Sequence, residues 1–337
     1  MCALTFPVRH YFRLAIPRPL GFNLAMGYFT DALNRRLFKR RCLAILLLCL
    51  CGSLTWADYL EITLLGTGTP RLSAERYGSA TLIQAGGKYF LFDAGRGAVI
   101  RLHQADITPD QIEQVFITHL HSDHITGLDD LWITGWIYQR PSALKVYGPE
   151  GTKHTIDALR SMYHKDIHYR TSNVRHEHAQ LLSEEVTQGV IYQASGVTIT
   201  AFYVDHKPVE PALGYRLDFG DRSVLISGDT TYSDNLIKHA QDVDVLIHEI
   251  AGSDATLVAR NPRLAKIMAY HTNPQQLAKV LQKTQPRLAV FNHVLLFGMT
   301  EESALAQIRQ DYPGRIEMGY DLMHIQLGEK ITVNTLP

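Results

Sequence analysis

The chain has 337 residues, 46% of them hydrophobic, and carries 33 basic and 33 acidic side chains. That composition excludes an intrinsically disordered protein and suits one large domain or two small ones. All four cysteines (Cys2, Cys42, Cys49, Cys51) lie near the N-terminus, so the body has no disulfide, thiolate zinc site or cysteine nucleophile, and any metal rests on nitrogen and oxygen ligands.

Residues 1–57 hold eight basic residues and one acid, Asp31, which leaves a net charge of −7 on the rest of the chain. Arg35-Arg36-Leu37-Phe38-Lys39-Arg40-Arg41 runs into the apolar stretch Cys42 to Leu50, and the small residue Ala57 follows shortly after. A basic segment, a short apolar core and a small residue predict a signal peptide over residues 1–57, and hence a periplasmic or secreted protein. The apolar run is short against the ~20 residues of a spanning helix, so a membrane anchor over residues 42–57 is the alternative. Met26 is a second candidate start. The acidic body lacks the basic excess with which proteins grip polyanions, so no long nucleic acid is expected as a partner.

From Asp58 onward there is no linker, charge block or repeat. Leu60 to Leu64 alternates as a strand and ends in the turn Gly66-Thr67-Gly68-Thr69-Pro70. Ala80 to Gln84 and Tyr89 to Phe92 read as a hairpin joined at Gly86-Gly87. Val115 to Thr118 is a short buried strand. Further strands are predicted at Leu144 to Tyr147, Val197 to Val204, Gly214 to Phe219, Arg222 to Ser227, Val243 to Ile247 and Leu288 to Phe291. Helical spacing marks Gly97 to Gln104, Thr152 to Tyr163, Ser233 to Ala240, Pro274 to Lys283 and Glu301 to Gln310. The mixture predicts two sheets face to face with helices outside, and a site at the strand ends.

The strongest signal is Thr118-His119-Leu120-His121-Ser122-Asp123-His124. Imidazole and carboxylate are the ligands zinc uses where no thiolate is present. Four such groups within six residues are too many for one tetrahedral ion, and the spacing serves two adjacent ions.

This motif, HxHxDH, resembles the signature of the metallo-β-lactamase superfamily, and the resemblance covers Tyr59 to Val333. Leu91-Phe92-Asp93-Ala94-Gly95 is similar to the preceding Asp-bearing strand end. Within the superfamily the chain resembles the ribonuclease Z-like branch, which includes certain bacterial arylsulfatases. The matching stretches are Leu65 to Pro70, Val146-Tyr147-Gly148-Pro149, Asp205-His206, Gly214 to Leu217, Ser227-Gly228-Asp229-Thr230, Leu246-Ile247-His248-Glu249, Tyr270-His271-Thr272 and Asn292-His293-Val294. The resemblance implies an α/β fold, a four-layered αββα sandwich over residues 58–337. It also implies two zinc ions, with manganese or iron as alternatives, one on His119, His121 and His206 and the other on Asp123, His124 and His293. Asp229 would bridge them. Two bound cations acidify a water held between them. Asp93 is implied to support the histidine loop. His248 and Glu249 are near-site candidates or loop-stabilising polar groups. Dimers are common in this branch, so a homodimer is an expectation.

Asp123 and His271 are the catalytic candidates. The resemblance implies that His271 protonates the leaving oxygen, which matters for a poor leaving group such as an alkoxide; capping the helix near Pro274 is its other reading. The branch's tRNA-processing members carry a long arm between the Gly-Tyr-Arg and Gly-Asp-Thr motifs, whereas here Leu217 to Arg222 forms a tight hairpin. Extra sequence between Tyr163 and Tyr192 reads as a lid or as a surface loop, and its Arg170 and Arg175 are candidates to hold an anionic ester. The expected activity is hydrolysis of a small anionic ester, a phosphodiester or an aryl sulfate. The alternatives are a ribonuclease Z-type endoribonuclease, a lactonase or β-lactamase-like hydrolase, and a non-catalytic metal-binding protein.

Overall fold

The computed structural model describes residues 59–336. The leader assigned to residues 1–57, the alternative anchor and the alternative start at Met26 lie outside them. Along the described chain come β1 (Leu60–Gly66), β2 (Ala80–Ala85), β3 (Lys88–Phe92), α1 (Ala98–Gln104), β4 (Gln114–Phe116), α2 (Ser122–Ile125), α3 (Leu128–Ile137), β5 (Leu144–Gly148), α4 (Thr152–Arg170), β6 (Leu181–Glu185), β7 (Gly189–Ala194) and β8 (Val197–His206). Then follow β9 (Val209–Phe219), β10 (Arg222–Ile226), α5 (Asp234–His239), β11 (Val245–Ser253), α6 (Ala255–Arg260), α7 (Pro262–Met268), α8 (Pro274–Thr284), β12 (Leu288–Phe297), α9 (Glu301–Arg309), β13 (Ile316–Met318), β14 (Met323–Leu327) and β15 (Ile331–Thr335).

The strands form an eight-stranded sheet, β15-β14-β1-β2-β3-β4-β5-β6, and a seven-stranded sheet, β13-β12-β11-β10-β9-β8-β7. Period-two alternation decides the layering. In β11, Val245 and Ile247 enter the core between the sheets, while Leu246 and Ile250 enter a second core under the outer helices. A strand covered on both faces reads as an unbroken apolar run, and complete burial of each such side chain contributes roughly 1.5–3 kcal/mol. The first sheet does the same: Phe90, Phe92 and Phe116 face the shared core, and Leu91 and Val115 face a third core beneath α1, α3 and α4. Helices α5, α8 and α9 cover the second sheet. The layers are therefore helix, sheet, sheet, helix. No helix among the described residues is long and apolar enough to cross a membrane.

Several stretches differ from expectation, among them α3 and the strands β13 to β15, for which the sequence reading had no element. Helix α4 continues past Tyr163 to Arg170, and β6 and β7 then extend the edge of each sheet. Most of the 163–192 insertion is thus regular structure at the sheet margins. The segment 254–268, which carries no helix in the sequence reading, forms α6 and α7, capped by the side chains of Asp254 and Asn261.

Candidate metal centre

The ligand candidates sit at strand ends. His119 and His121 follow β4, and Asp123 and His124 lie in α2. His206 ends β8, Asp229 follows β10 and His293 lies within β12. The structure gathers them into two groups: His119, His121, His206 and Asp229, and Asp123, His124 and His293, with ligand atoms in each within 4.8 Å of one another. Asp229 lies between the groups. Its Oδ2 is 3.8 Å from Nε2 of both His119 and His206 and 3.4 Å from His293 Nε2, and its Oδ1 is 3.6 Å from His124 Nε2.

Hydrogen bonds aim the rings. Asp93 Oδ2 accepts from His124 Nδ1 at 2.7 Å, and its Oδ1 accepts from Thr118 N at 2.8 Å. Thr118 Oγ1 lies 3.0 Å from both Asp93 Oδ2 and His119 Nδ1, so it relays the carboxylate to a second ring. The Tyr270 carbonyl accepts from His206 Nδ1 at 3.1 Å. In each case the outer nitrogen is engaged and Nε2 is left for the cluster, the usual arrangement around metal-bound histidine.

Backbone geometry sets the remaining ligands. His293 is the extra residue where β12 pairs with β11: Glu249 faces Asn292, Ile250 faces Val294, and His293 has φ 43°. A bulge of this kind re-aims a side chain. The next amide, Val294 N, donates to Thr67 O at 2.9 Å, so the Gly66–Pro70 turn pins the bulge. Asp321 holds that turn in place by accepting from Thr67 N, Thr67 Oγ1, Tyr77 N and Arg101 Nε at 2.8–3.0 Å. Gly228, beside Asp229, has φ 60°, and a Cβ there would stand 2.7 Å from the Leu213 carbonyl oxygen.

The donor set fits cations. His124 Nε2 and Asp229 Oδ1 are buried with no hydrogen-bond partner among the described residues, yet face each other across 3.6 Å. Burial pulls His124 toward neutrality, but Asp229 and Asp93 outweigh it and raise its pKa well above the ordinary imidazole value. Burial raises Asp229 too, and His293 and His124 overcome that and keep it well below the usual carboxylate range. A proton on His124 thus occupies the position where the carboxylates favour positive charge. Burial drives His119 well below its ordinary value, as suits a neutral ligand.

His271 lies beside this cluster, with a ring nitrogen within 4.8 Å of ligand atoms of Asp229 and His293. Its Nδ1 is 3.1 Å from Glu249 Oε1, which also accepts from Thr230 N and Thr272 N. Burial lowers the His271 pKa, but the Glu249 carboxylate reverses this and lifts it to about 9. Asn273 and Gln276 form a capping box at the start of α8, two residues beyond His271, so helix initiation also fixes this histidine. Glu249 Oε2, His293 Nδ1 and Asn292 Oδ1 have no hydrogen-bond partner among the described residues and belong to residues lining a cavity of about 10 Å³, near the size of one water.

Both groups open onto a cleft of about 570 Å³, whose lining includes His121, His271 and His293 and an apolar wall of Leu264, Ile267, Leu295 and Phe297. Arg170 and Arg175 are not in that lining. Arg170 ends α4 and pairs with Asp166 at 2.9 Å, and Arg175 lines a separate pocket with Trp136. Regular structure thus keeps the insertion that carries them at the margin of the sheets, outside the cleft lining. The cleft's own arginines are Arg71 and Arg263. A cue for Arg263 was Asn261-Pro262, a helix start ten residues before His271. His248 does not reach the ligands: its Nδ1 bonds the Glu249 carbonyl at 2.8 Å, and burial lowers its pKa.

The family described as Anti-Pycsar protein Apyc1 matches residues 60–290. Ribonuclease Z of Mycobacterium sp. (strain KMS) is 34% identical over 284 residues, which cover 81% of this chain and 98% of that protein. Ribonuclease Z of Mycobacterium marinum (strain ATCC BAA-535 / M) is 34% identical over 279 residues, 80% of this chain and 99% of that one. Among solved structures, the metallo-β-lactamase fold protein YhfI from Bacillus subtilis has a TM-score of 0.64 at 17% identity, over 80% of this chain and 100% of its own. Human tRNase Z, short form, has 0.61 at 23% identity, over 79% and 98%. These two likenesses show the fold.

The expectation that no long nucleic acid is a partner is overturned by relatives named for RNA cleavage that align over almost their whole length. Net charge misled because it averages over the surface, whereas the cleft carries its own arginines. Nor does the tight β9–β10 hairpin set the chain apart, since an alignment over 98% of the Mycobacterium protein leaves no room there for a long additional arm. A two-sheet fold, an intact histidine–aspartate cluster and this extent of identity place the chain among the metallo-β-lactamase-fold hydrolases, as a member of the family described as Anti-Pycsar protein Apyc1 with ribonuclease Z homologues.

Proposed function

We propose that this chain is a metal-dependent phosphodiesterase of the ribonuclease Z type, cleaving RNA with an alkoxide as leaving group. The observation that carries the reading is the Glu249–His271 pair beside the metal cluster. A positioned acid contributes most where the leaving oxygen is strongly basic, as a ribose oxygen is. The names of the Mycobacterium relatives support RNA as the substrate.

In this reading His119, His121 and His206 would hold one ion and Asp123, His124 and His293 a second, with Asp229 placed to serve either group. Zinc suits the all-N,O donor set, with manganese or iron as alternatives. Bound there, the ions supply an acidified water and neutralise charge on the phosphate oxygens. His271 delivers a proton to the leaving oxygen, while Glu249 keeps Nδ1 engaged and stabilises the imidazolium. Asp93, through His124 and Thr118, holds the ligand rings in register. The wall of Leu264, Ile267, Leu295 and Phe297 keeps bulk water from one side of the reacting group.

The test is to assay the zinc-loaded full chain against RNA with a 3′ extension, bis(4-nitrophenyl) phosphate, 4-nitrophenyl phosphate and 4-nitrophenyl sulfate, with His121→Ala as control. RNA and the model diester should be cleaved, and both activities should vanish in the variant. Hydrolysis of the sulfate without cleavage of either diester would overturn the reading. Export is part of the proposal: protein from the cell envelope should begin near Asp58, and a full-length chain there would count against cleavage after Ala57.

A further inference from the structure

Arg263 is the cleft feature that the hydrolytic machinery does not use. It lies in the first turn of α7, at the rim of the cleft, and its guanidinium has no hydrogen-bond or ion-pair partner among the described residues. Arg71 approaches from the turn after β1. Its Nη1 donates to the Leu296 carbonyl at 2.9 Å, and its guanidinium stacks over the Phe297 ring at 5.0 Å. The acids lining the cleft are Asp123 and Asp229, and both belong to the metal cluster. The cleft lining therefore carries two cations, no acid outside the metal-ligand groups among the described residues, and the apolar side chains of Leu264, Ile267, Leu295 and Phe297.

We infer that the α7 wall is a subsite for the nucleotide next to the scissile phosphate, with Leu264, Ile267 and Phe297 taking its base and Arg263, assisted by Arg71, pairing its phosphate. The inference rests on the phosphodiesterase reading and adds to it the residues that meet the strand beyond the scissile phosphate. An aryl sulfate or a diester with a single phosphate brings one anion, and the metals take it. Arg263, exposed at the rim, then has no counter-charge in the cleft, and a cationic rim draws in a second anion where the substrate carries one. A strand with a flanking phosphate supplies a second anion, and its base supplies a flat apolar face. Arginine suits both contacts, since it pairs phosphate in a bidentate fork and lies flat on aromatic rings. A cleft of about 570 Å³ is in the range of sites that take ligands of nucleotide size.

The experiment compares the zinc-loaded full chain with Arg263→Ala, Arg263→Lys and Arg263→Glu on UpU, which has one phosphate, and pUpU and UpUpU, which have flanking phosphates. Wild type should prefer the latter two. In Arg263→Ala the ratio of kcat/KM for pUpU or UpUpU to that for UpU should fall about tenfold, mainly through KM, the order expected for loss of a charge-assisted contact. Arg263→Lys should restore part of the preference and Arg263→Glu should abolish it. The slope of log(kcat/KM) for UpUpU against log salt should lessen by about 0.7 in Arg263→Ala, the single-strand value for one phosphate contact. Equal losses on all three substrates, or no wild-type preference for flanking phosphates, would overturn the subsite while leaving the phosphodiesterase reading intact. Failure of wild type to cleave any phosphodiester would overturn both.

Discussion

Glu249 and His271 form a buried pair, Oε1 to Nδ1 at 3.1 Å, and that carboxylate also fixes the backbone on either side through the amides of Thr230 and Thr272. The pair is built for a proton to be held on the imidazole. With the His271 pKa lifted to about 9 by Glu249, its acid form is present below that value and is lost as pH rises through it. Bound cations oppose a second positive charge, so in the loaded enzyme the fall should come below pH 9. His271→Ala should cut turnover of alkyl diesters 10²–10⁴-fold and remove this alkaline limb, with a much smaller loss on nitrophenyl esters. pH–rate profiles on the two ester classes check it, and equal losses on both would assign His271 to binding instead.

Glu249→Gln keeps the shape but removes the charge that raises His271. The alkaline limb should move to lower pH, because a neutral amide no longer favours imidazolium. Zinc content should stay at the wild-type level, measured by atomic absorption, since Glu249 is outside the ligand groups.

Asp93→Asn should weaken zinc binding about 10–100-fold without removing a ligand, because His124 and, through Thr118, His119 lose the acceptor that orients them. Chelator competition measures this. His121→Ala and Asp229→Ala should each lower metal content and abolish hydrolysis. Wild-type activity in either variant would mean that the cluster is not the catalytic centre.

Gly228→Ala should destabilise the chain by about 1–3 kcal/mol, through the left-handed φ of 60° and the contact with Leu213 O. Gly220→Ala is the control. Gly220 has φ 61° but open space around its Cβ position, so the loss there should be only the conformational part, about 1 kcal/mol. Thermal melts of the two variants, with and without zinc, separate the terms.

Local chemistry decided much of this molecule. The alternation of β1 and the unbroken apolar run at the start of β11 reflect the faces each strand buries, so the central strands and the layering were legible in the chain, whereas the edge strands β6, β7, β13 and β15 and the strand β14 were not. The histidine–aspartate cluster was legible because four ligands in six residues have few other uses, and Asn273-Pro274 marked the helix start behind His271. Other features depend on groups far apart in sequence that only folding brings together. The bulge that turns His293 inward depends on Thr67, 226 positions earlier, whose turn is in turn held by Asp321. Glu249 acquires its role from His271 across a strand crossover. Arg170 and Arg175 looked suited to an anion by residue type, but helix α4 carries Arg170 to the sheet margin, whereas α7 delivers Arg263 to the cleft. Residue type and spacing determine which groups can bind metal or anion. Which of them share a cleft is set by how the two sheets pack and where their connections cross, and those long-range contacts leave no local pattern to read.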